Sequence, residues 1–234
     1  MPLTLFNIGI LLISVFLQAS DVHARHSPAA EPINLVRKSI VTIQTELART
    51  DRKKTRTVLY TRNAAGIIVD PSGLIVANTH TIAHAPKIFA VLADGKKYQA
   101  KVVFISSSFD FSFLRISPAS PLRAIEWADS DQARLTNAVS TIGHAKSHKN
   151  SLFKGRIIGL ACSKNTNHPV GIIQLDLNLY KGDSGGPILD HNGRFLGLIY
   201  SKQADVEHSS FAIPSNVIKD AYINYMRKHG RQKK

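Results

Sequence analysis

The amino-acid sequence predicts an all-β fold of two consecutive β-barrels followed by a C-terminal helix. Many short apolar segments alternate with turn signals at even spacing, a pattern that is typical of β-barrels. Ser117–Pro121 interrupts this pattern near the middle of the chain and is interpreted as a linker. The only long stretch with helical spacing of apolar residues comes at the end. We therefore expect a first barrel over about residues 33–117, a second over about 122–214 and a helix over 215–230.

The strands of the first half are predicted from apolar runs and from the turns that join them. Residues 25–32 are rich in proline and alanine and are expected to form a loose leader before the first strand, Ile40–Thr45. A hairpin is expected around Asp70–Gly73, because proline at the second position and glycine at the fourth favour a type I turn. Asp94–Gly95 marks a second hairpin. Alternating phenylalanines then predict a strand with an aromatic face over Phe109–Leu114.

The strands of the second half are likewise predicted from short apolar runs and turn signals. The pair Asn192-Gly193 is a strong hairpin signal. The helix is expected to begin at Ser215, which can cap it, and to end at Gly230. The predicted strands are Ala124–Trp127, Ala138–Ile142, Gly155–Cys162, Val170–Leu179, Gly186–Leu189 and Arg194–Ser201.

Composition narrows the class of protein. The chain has 234 residues, of which 44% are hydrophobic and 20% charged, so a wholly disordered, fibrous or polytopic membrane protein is excluded. The single cysteine, Cys162, allows neither an internal disulfide nor a zinc site of several thiolates. Since it falls in a predicted strand, Cys162 is interpreted as a core residue rather than a reactive thiol.

The N-terminus has the pattern of an export signal. Met1–Ser20 contains no charged side chain, and its apolar centre, Leu5–Leu17, is shorter than a membrane-spanning helix. Val22 and Ala24 supply small residues at the positions that define cleavage, so a signal peptide over residues 1–24 is predicted, with residues 25–234 as one mature domain. The alternative is an uncleaved anchor. Either interpretation places the protein outside the cytoplasm, in the periplasm or secreted, and the lack of cysteine pairs favours a bacterial envelope.

The strongest chemical signal is the run Lys181–Pro187, in which Ser184 is flanked by glycines. A serine on such a tight turn can approach a substrate closely, and the amides of Gly182 and Ser184 can converge on one point. Two converging amides form an oxyanion hole, which stabilises the charge that develops on an attacked carbonyl. Gly182, Asp183 and Ser184 are therefore the predicted oxyanion-hole residues. The alternative is an ordinary glycine-rich turn.

A serine hydroxyl needs a base to take its proton, and the base needs a carboxylate to orient it. His80 is the candidate base, because it comes where a buried apolar strand ends. Asp110 is the candidate carboxylate, and it is the only acidic residue between Asp94 and Glu126. Weaker candidates for the base and the carboxylate are His84, Asp129 and Asp131.

Together these segments resemble the trypsin-like serine proteases, and most of all the high-temperature-requirement (HtrA) type. The resemblance covers about residues 33–230, with the candidate residues in the order His, Asp, Ser. Three positions near the histidine depart from the usual pattern: Ala64, Ala77 and Thr81. The matching segments are Ala64–Asp70, Asn78–His80, Asp110, Phe113–Ile116, Gly182–Pro187 and Phe211–Ser215.

The resemblance implies two six-stranded β-barrels with the site in the cleft between them, and a serine endopeptidase that cleaves protein or peptide substrates. His80, Asp110 and Ser184 would form its catalytic triad, with no metal or organic cofactor. Residues 185–234 are filled by strands and a helix, so a protease domain without a PDZ domain is expected. HtrA-type proteases are often trimers, although no residue pattern in the sequence demands a homo-oligomer. Two alternatives stay open: a protease-like binding protein that no longer cleaves, and a glutamyl endopeptidase of the same fold.

The net charge of +14 has two interpretations. Basic residues at Arg49–Arg56 and Arg227–Lys234 could attach the protein to an acidic surface such as anionic lipid, lipopolysaccharide or cell wall. A well-solvated basic surface is the simpler interpretation and is favoured. Nucleic-acid binding is not expected, because no aromatic residues are interleaved with the basic ones.

Overall fold

The computed structural model describes residues 30–50, 57–144, 151–162, 164, 168–180, 182–202 and 209–229. The predicted signal peptide, most of the basic segment Arg49–Arg56 and the end of the basic tail lie outside the described residues.

The first half of the chain forms one antiparallel sheet of seven strands, in the order β5-β4-β1-β2-β3-β7-β6. A helix precedes the sheet, and a single helical turn follows its third strand. The elements are α1 (Ala30–Arg37), β1 (Ile40–Thr50), β2 (Thr57–Asp70), β3 (Leu74–Ala77), α2 (Thr79–Ile82), β4 (Lys87–Val91), β5 (Lys97–Gln99), β6 (Lys101–Ile105) and β7 (Ser112–Arg115).

The two edge strands of this sheet, β5 and β6, are neighbours in the chain. Only Ala100 separates them, and its amide donates to the Ile88 carbonyl of β4 at 2.8 Å. The opposite edges of the sheet therefore meet at Ala100, and the sheet curls into a half-barrel. If β5 and β6 are counted as one bent strand, the sheet has the six strands that the resemblance implies.

The second half forms a closed barrel of six strands, in the order β10-β13-β12-β11-β8-β9. The final helix, α3, follows the last strand directly. The predicted fold class, a mostly β double barrel with a C-terminal helix, is confirmed. The elements are β8 (Ala138–Ile142), β9 (Leu152–Ala161), β10 (Ile172–Asp176), β11 (Pro187–Leu189), β12 (Phe195–Lys202), β13 (Ser209–Pro214) and α3 (Ser215–His229).

One apolar cluster joins both barrels and the final helix. Phe113 of β7, Phe195 of β12 and Ile218 of α3 are fully buried in it. Each barrel also has a core cluster of its own. Because the shared cluster packs the two barrels against each other, it fixes the relative position of residues that come from different halves of the chain.

Away from the site, three sequence-based expectations differ from the structure. Residues 30–37 form α1, whereas the sequence predicts a loose leader up to residue 32. Ala124–Trp127 is not a strand: its amides and carbonyls bond to Ile68 of the first sheet and Phe195 of the second barrel, so it bridges the barrels. Cys162 is exposed rather than buried, because it follows the end of β9, and its thiol donates to the Pro169 carbonyl at 3.3 Å.

Helix α3 is fastened to both barrels by polar side chains. Ser215 at its start donates to the Ala128 carbonyl at 3.0 Å, and Tyr222 donates to the Asp70 carboxylate of β2 at 2.9 Å. Burial and the Asp70 charge raise the pKa of Tyr222 to about 12, so this phenol stays a donor at neutral pH. In the part of the chain that the structure describes, no helix has the length and apolar character needed to cross a bilayer.

His168 adds a further attachment for α3. Its imidazole lies between the carboxylates of Asp131 (2.8 Å) and Asp220 of α3 (3.0 Å). Partial burial acts to lower the pKa of His168, but the hydrogen bonds and charges of the two carboxylates outweigh it and raise that pKa above its usual value. The protonated ring therefore forms two ion pairs that hold the loop before β10 against the helix.

The raised pKa of His168 makes part of the stability depend on pH. The stabilisation by the His168 ion pairs is fully present below about pH 6.5, where a histidine is also protonated in the unfolded chain. It is lost as the pH rises through the raised pKa of His168. We expect His168→Gln to lower the melting temperature more at about pH 5.5 than at about pH 8.5. His191→Gln, in the exposed β11–β12 turn, is the matched control and should change it little at either pH. A His168→Gln deficit that is equal at both pH values would contradict the ion-pair assignment.

Candidate active site

His80 lies in α2, the single helical turn that follows β3. The turn is tied to Asp110 and to the first residue of β7 by two side-chain contacts. Asn78 donates its side-chain amide to the Asp110 carbonyl at 2.9 Å, and the Thr79 and Ser112 hydroxyls are 2.8 Å apart. These contacts hold the histidine and the aspartate segments side by side.

Asp110 is at the centre of a tight turn rather than in the predicted strand. The Phe111 amide donates to the Phe109 carbonyl at 2.8 Å, so the chain reverses around Asp110, and β7 begins only at Ser112. Phe111 and Phe113 are both buried, as the aromatic pattern predicts. The burial of these two rings beyond the turn anchors the aspartate.

The Asp110 carboxylate holds His80 at two points. One oxygen accepts the His80 main-chain amide at 2.9 Å, and the other is 2.5 Å from His80 Nδ1. Engagement of Nδ1 leaves Nε2 as the ring nitrogen that can take a proton from another group. The His80 side chain is 50% exposed and that of Asp110 is 28% exposed, so the pair is accessible from solvent.

Ser184 lies in a tight turn whose backbone requires glycine. Gly182 and Gly185 have φ angles of +115° and +83°, a region that other residues rarely adopt. The Gly185 amide donates to the Ile199 carbonyl of β12 at 2.9 Å, and the Gly186 amide donates to the Asp183 carbonyl at the same distance. These bonds fix the turn to the second barrel.

The same turn is docked on strand β2 of the first sheet. The Ala65 amide donates to the Ser184 carbonyl at 2.9 Å. A Cβ atom at Gly185 would lie 2.1 Å from the Ala65 carbonyl oxygen, so the two backbones touch there. Because Ile67 pairs with Val76 in the β2–β3 ladder, Ala65 is close to the end of β3, from which the chain enters α2. The docking thus brings Ser184 close to the end of β3, where α2 and His80 follow.

Among the described residues, no hydrogen bond joins the side chains of Ser184 and His80. Likewise, within the described ranges, the amides of Gly182 and Ser184 donate to no main-chain carbonyl, which leaves them available to a ligand. The sequence also predicts Asp183 as an oxyanion-hole residue, but its amide is engaged elsewhere. It donates to the Tyr180 carbonyl at 3.0 Å and is used within the turn.

The weaker candidates for the base and the carboxylate lie in loops or take part in contacts that stabilise the fold. His84 is in the loop after α2, with a φ of +60°. Asp129 accepts hydrogen bonds from the Asp131 amide and the Asn216 side chain, and the latter is the main cause of its lowered pKa. Asp131 binds His168, as described above. Sequence reasoning missed Ala65, which acts through its backbone and gives no side-chain signal.

Burial alternates along the segment before the nucleophile turn, although strand β10 itself ends at Asp176. Leu175, Leu177 and Leu179 are buried in the core of the second barrel, whereas Asp176, Asn178 and Tyr180 alternate with them and are exposed. The three leucines therefore stabilise the barrel and do not line a surface pocket. Asp176 and Asn178 lie on the same face of the segment.

Comparison with known proteins gives consistent matches. Residues 64–198 match the family described as "Trypsin-like peptidase domain". The "Probable periplasmic serine endoprotease DegP-like" of Rickettsia prowazekii (strain Madrid E) is 33% identical over 174 residues, covering 71% of this chain and 34% of the relative. The "Periplasmic serine endoprotease DegP" of Escherichia coli (strain K12) is 30% identical over 175 residues, covering 73% and 37%. The chain thus spans about a third of the length of these curated relatives.

A solved structure, "HtrA-type protease AlgW with decapeptide", superposes with a TM-score of 0.73 at 19% sequence identity. The match covers 87% of this chain and 69% of that one. At this identity the likeness is one of fold, and it agrees with the double-barrel architecture.

Gly185→Ala tests the docking of the nucleophile turn. The added methyl group would overlap the Ala65 carbonyl and force the turn away from β2. Gly95→Ala is a matched control, because Gly95 has a similar φ of +86° but a methyl group added there would meet no atom within 4 Å. Positive φ alone costs about 1–2 kcal/mol, which lowers the melting temperature by roughly 2–8 °C for a domain of this size. We expect Gly185→Ala to lower the melting temperature at least about twice as much as Gly95→Ala does. Equal losses in the two variants would contradict a tight contact at Ala65.

Proposed function

The chain belongs to the trypsin-like peptidase family, and from this membership we propose that it is an exported serine endopeptidase that cleaves unfolded proteins. The observation that carries the proposal is the docking of the Ser184 turn on β2, close to the end of β3 that leads to His80, together with the two bonds by which Asp110 holds His80. The proposal requires a nucleophile, a base and an orienting carboxylate from the two barrels, and this arrangement supports it.

In the proposed reaction Ser184 Oγ attacks the carbonyl carbon of the scissile peptide bond. His80 Nε2 takes the hydroxyl proton and then gives it to the leaving amine, while Asp110 keeps the ring oriented and stabilises its positive charge. The amides of Gly182 and Ser184 donate to the oxyanion of the tetrahedral intermediate. Water then hydrolyses the acyl-enzyme with His80 again as the base. These residues need no metal or organic cofactor for this sequence of steps.

Export rests on the sequence of residues 1–24 and on the names of the relatives, which describe periplasmic proteins. We place the protein in the bacterial envelope, with cleavage of the signal peptide after Ala24. Its partners would be protein or peptide substrates. Attachment to an acidic surface stays a prediction. Of the basic residues that would make this attachment, Arg227 and Lys228 are exposed on the last turn of α3.

The rival function is a protease-like scaffold that binds proteins without cleaving them. The two bonds between Asp110 and His80 favour the peptidase, because a binding protein has no need to hold an imidazole in this way. A glutamyl endopeptidase is the second rival, and it differs only in substrate preference.

Ser184→Ala separates the peptidase from the silent scaffold. We expect the wild type to cleave unfolded casein and to react with a fluorophosphonate probe. Ser184→Ala should lose both activities by a factor of about 10⁴ or more while its melting temperature changes little. Ser120→Ala, in the exposed linker between the barrels, is the control and should retain full activity. Casein cleavage by Ser184→Ala at the wild-type rate would exclude Ser184 as the nucleophile.

Substrate preference tests the exposed face before the nucleophile turn. Asn178, six positions before Ser184, is where trypsin-like enzymes that cut after Lys or Arg have an acid. A Lys or Arg side chain facing an amide would be left without a countercharge, so we expect a preference of at least about tenfold for Val, Ala, Leu or Thr before the cut. Asp176 is on the same face and is the only acidic residue of Leu175–Tyr180. A peptide library cleaved by the wild type and by Asp176→Asn should give the same profile. A wild-type preference for Lys or Arg that Asp176→Asn abolishes would identify Asp176 as the pocket acid.

A further inference from the structure

The proposed reaction leaves one buried charge beside the nucleophile without a role, the Asp183 carboxylate. Asp183 is only 2% exposed, and burial of a carboxylate is tolerated only when its oxygens accept hydrogen bonds. One oxygen accepts the His144 main-chain amide at 2.7 Å, and the other accepts the Tyr180 amide at 2.8 Å. Because Asp183 directly precedes Ser184, these bonds fix the backbone from which the serine side chain extends.

His144 connects this carboxylate to the first sheet. It lies just after β8, and its imidazole Nε2 is 2.7 Å from the Thr42 hydroxyl of β1. The main chain of His144 thus holds Asp183, while its side chain holds the other barrel. Since both distances are short for hydrogen bonds between nitrogen and oxygen, the connection from Thr42 to Asp183 is tight.

Thr42 belongs to the same rung of the sheet as Ala65. The two residues are direct partners in the β1–β2 ladder. Ala65 contacts Ser184 through its amide, and Thr42 reaches Asp183 through His144. One rung of the first sheet therefore holds two consecutive residues of the nucleophile turn. Two points of attachment restrict the rotation of the turn as well as its distance from the sheet.

We propose that Thr42 and His144 are positioning residues that align Ser184 with His80 through the Asp183 carboxylate. This inference rests on the proposed function, in which Ser184 is the nucleophile. Neither residue touches the substrate. Loss of their hydrogen bond frees the end of β8 and Asp183 to shift relative to the sheet that carries His80 and Asp110.

The surroundings of the pair allow it to be changed without disrupting the core. A cavity of about 280 Å³ borders both Thr42 and His144, and both side chains are only partly buried. Thr42→Val keeps the shape of the side chain and removes the hydroxyl, whereas Thr42→Ser keeps the hydroxyl. His144→Ala removes the imidazole and leaves the main-chain amide that donates to Asp183, so it tests the same hydrogen bond from the other barrel.

Two measurements distinguish positioning from a merely structural role. The first is reactivity: the second-order rate of fluorophosphonate labelling, with kcat and KM on a cleavable peptide. Thr42→Val and His144→Ala should each lower the labelling rate and kcat by about three- to tenfold, the effect of one net hydrogen bond, with KM within about twofold. The double variant should be no slower than the slower single variant, because both changes break the same bond. Thr42→Ser should stay within about twofold of the wild type.

The second measurement is hydrogen exchange at the Asp183 and Gly185 amides, which does not depend on activity. It should speed up in Thr42→Val and His144→Ala. Thr45→Val is the matched control, because Thr45 lies on the same strand and its hydroxyl donates to the Arg62 carbonyl, away from the turn. It should leave the labelling rate and the exchange of the turn unchanged, whatever it does to the melting temperature.

Labelling of Thr42→Val and His144→Ala at the wild-type rate, an equal loss in Thr45→Val, or multiplying effects in the double variant would overturn the inference. A wild type that is not labelled at all would instead contradict the proposed function. In that case exchange at Asp183 and Gly185 still decides whether the tether exists, since unchanged exchange in Thr42→Val and His144→Ala excludes it.

Discussion

The site depends on one backbone contact, between the turn that holds Ser184 and strand β2. The Ala65 amide donates to the Ser184 carbonyl, and the absence of a side chain at Gly185 lets the two backbones touch. His80 and Asp110 come from the first sheet and Ser184 from the second barrel. A reaction that needs all three therefore requires a contact that sets the distance between the barrels. The shared apolar cluster supplies most of the packing, but hydrophobic packing is not directional, so hydrogen bonds are needed to fix the alignment.

The rest of the structure supports this contact from several sides. Ala124–Trp127 bonds to both barrels, and α3 is attached to β2 through Tyr222 and to the second barrel through Ser215. Within the first sheet, the side chains of Asn78 and Thr79 hold the turn of His80 against that of Asp110. Each attachment is modest in energy, about 1 kcal/mol for a typical hydrogen bond. Together they make the two barrels a single frame for the site.

Much of this arrangement could be predicted from the sequence, because its signals are local. Glycines around Ser184 indicate a strained turn, alternating phenylalanines indicate the buried face near Asp110, and the turn Asp70–Gly73 indicates the hairpin that leads to His80. The double barrel follows from the same short apolar runs. The engagement of the Asp183 amide within the turn could not be predicted, since it depends on where the Tyr180 carbonyl lies.

Features that depend on distant partners gave no local signal. Ala124–Trp127 has the composition of a strand, but its partners are in two different sheets, so it forms a bridge. Cys162 has the hydrophobicity of a core residue, but it lies past the end of β9, where the chain leaves the barrel. Thr42 and His144 are 102 positions apart, and neither position differs in pattern from ordinary polar residues.

The proposed reaction requires Ser184, His80 and the turn amides to act on one carbonyl group. The most direct measurement is a crystal structure of the protein with a peptide boronic acid, which mimics the tetrahedral intermediate. We expect a bond from boron to Ser184 Oγ, one boron oxygen within about 2.7–3.1 Å of the Gly182 and Ser184 amides, and His80 Nε2 in hydrogen-bond contact with the adduct. A boron atom bonded to another residue, or an adduct on Ser184 that neither His80 nor these two amides contact, would contradict the proposed reaction.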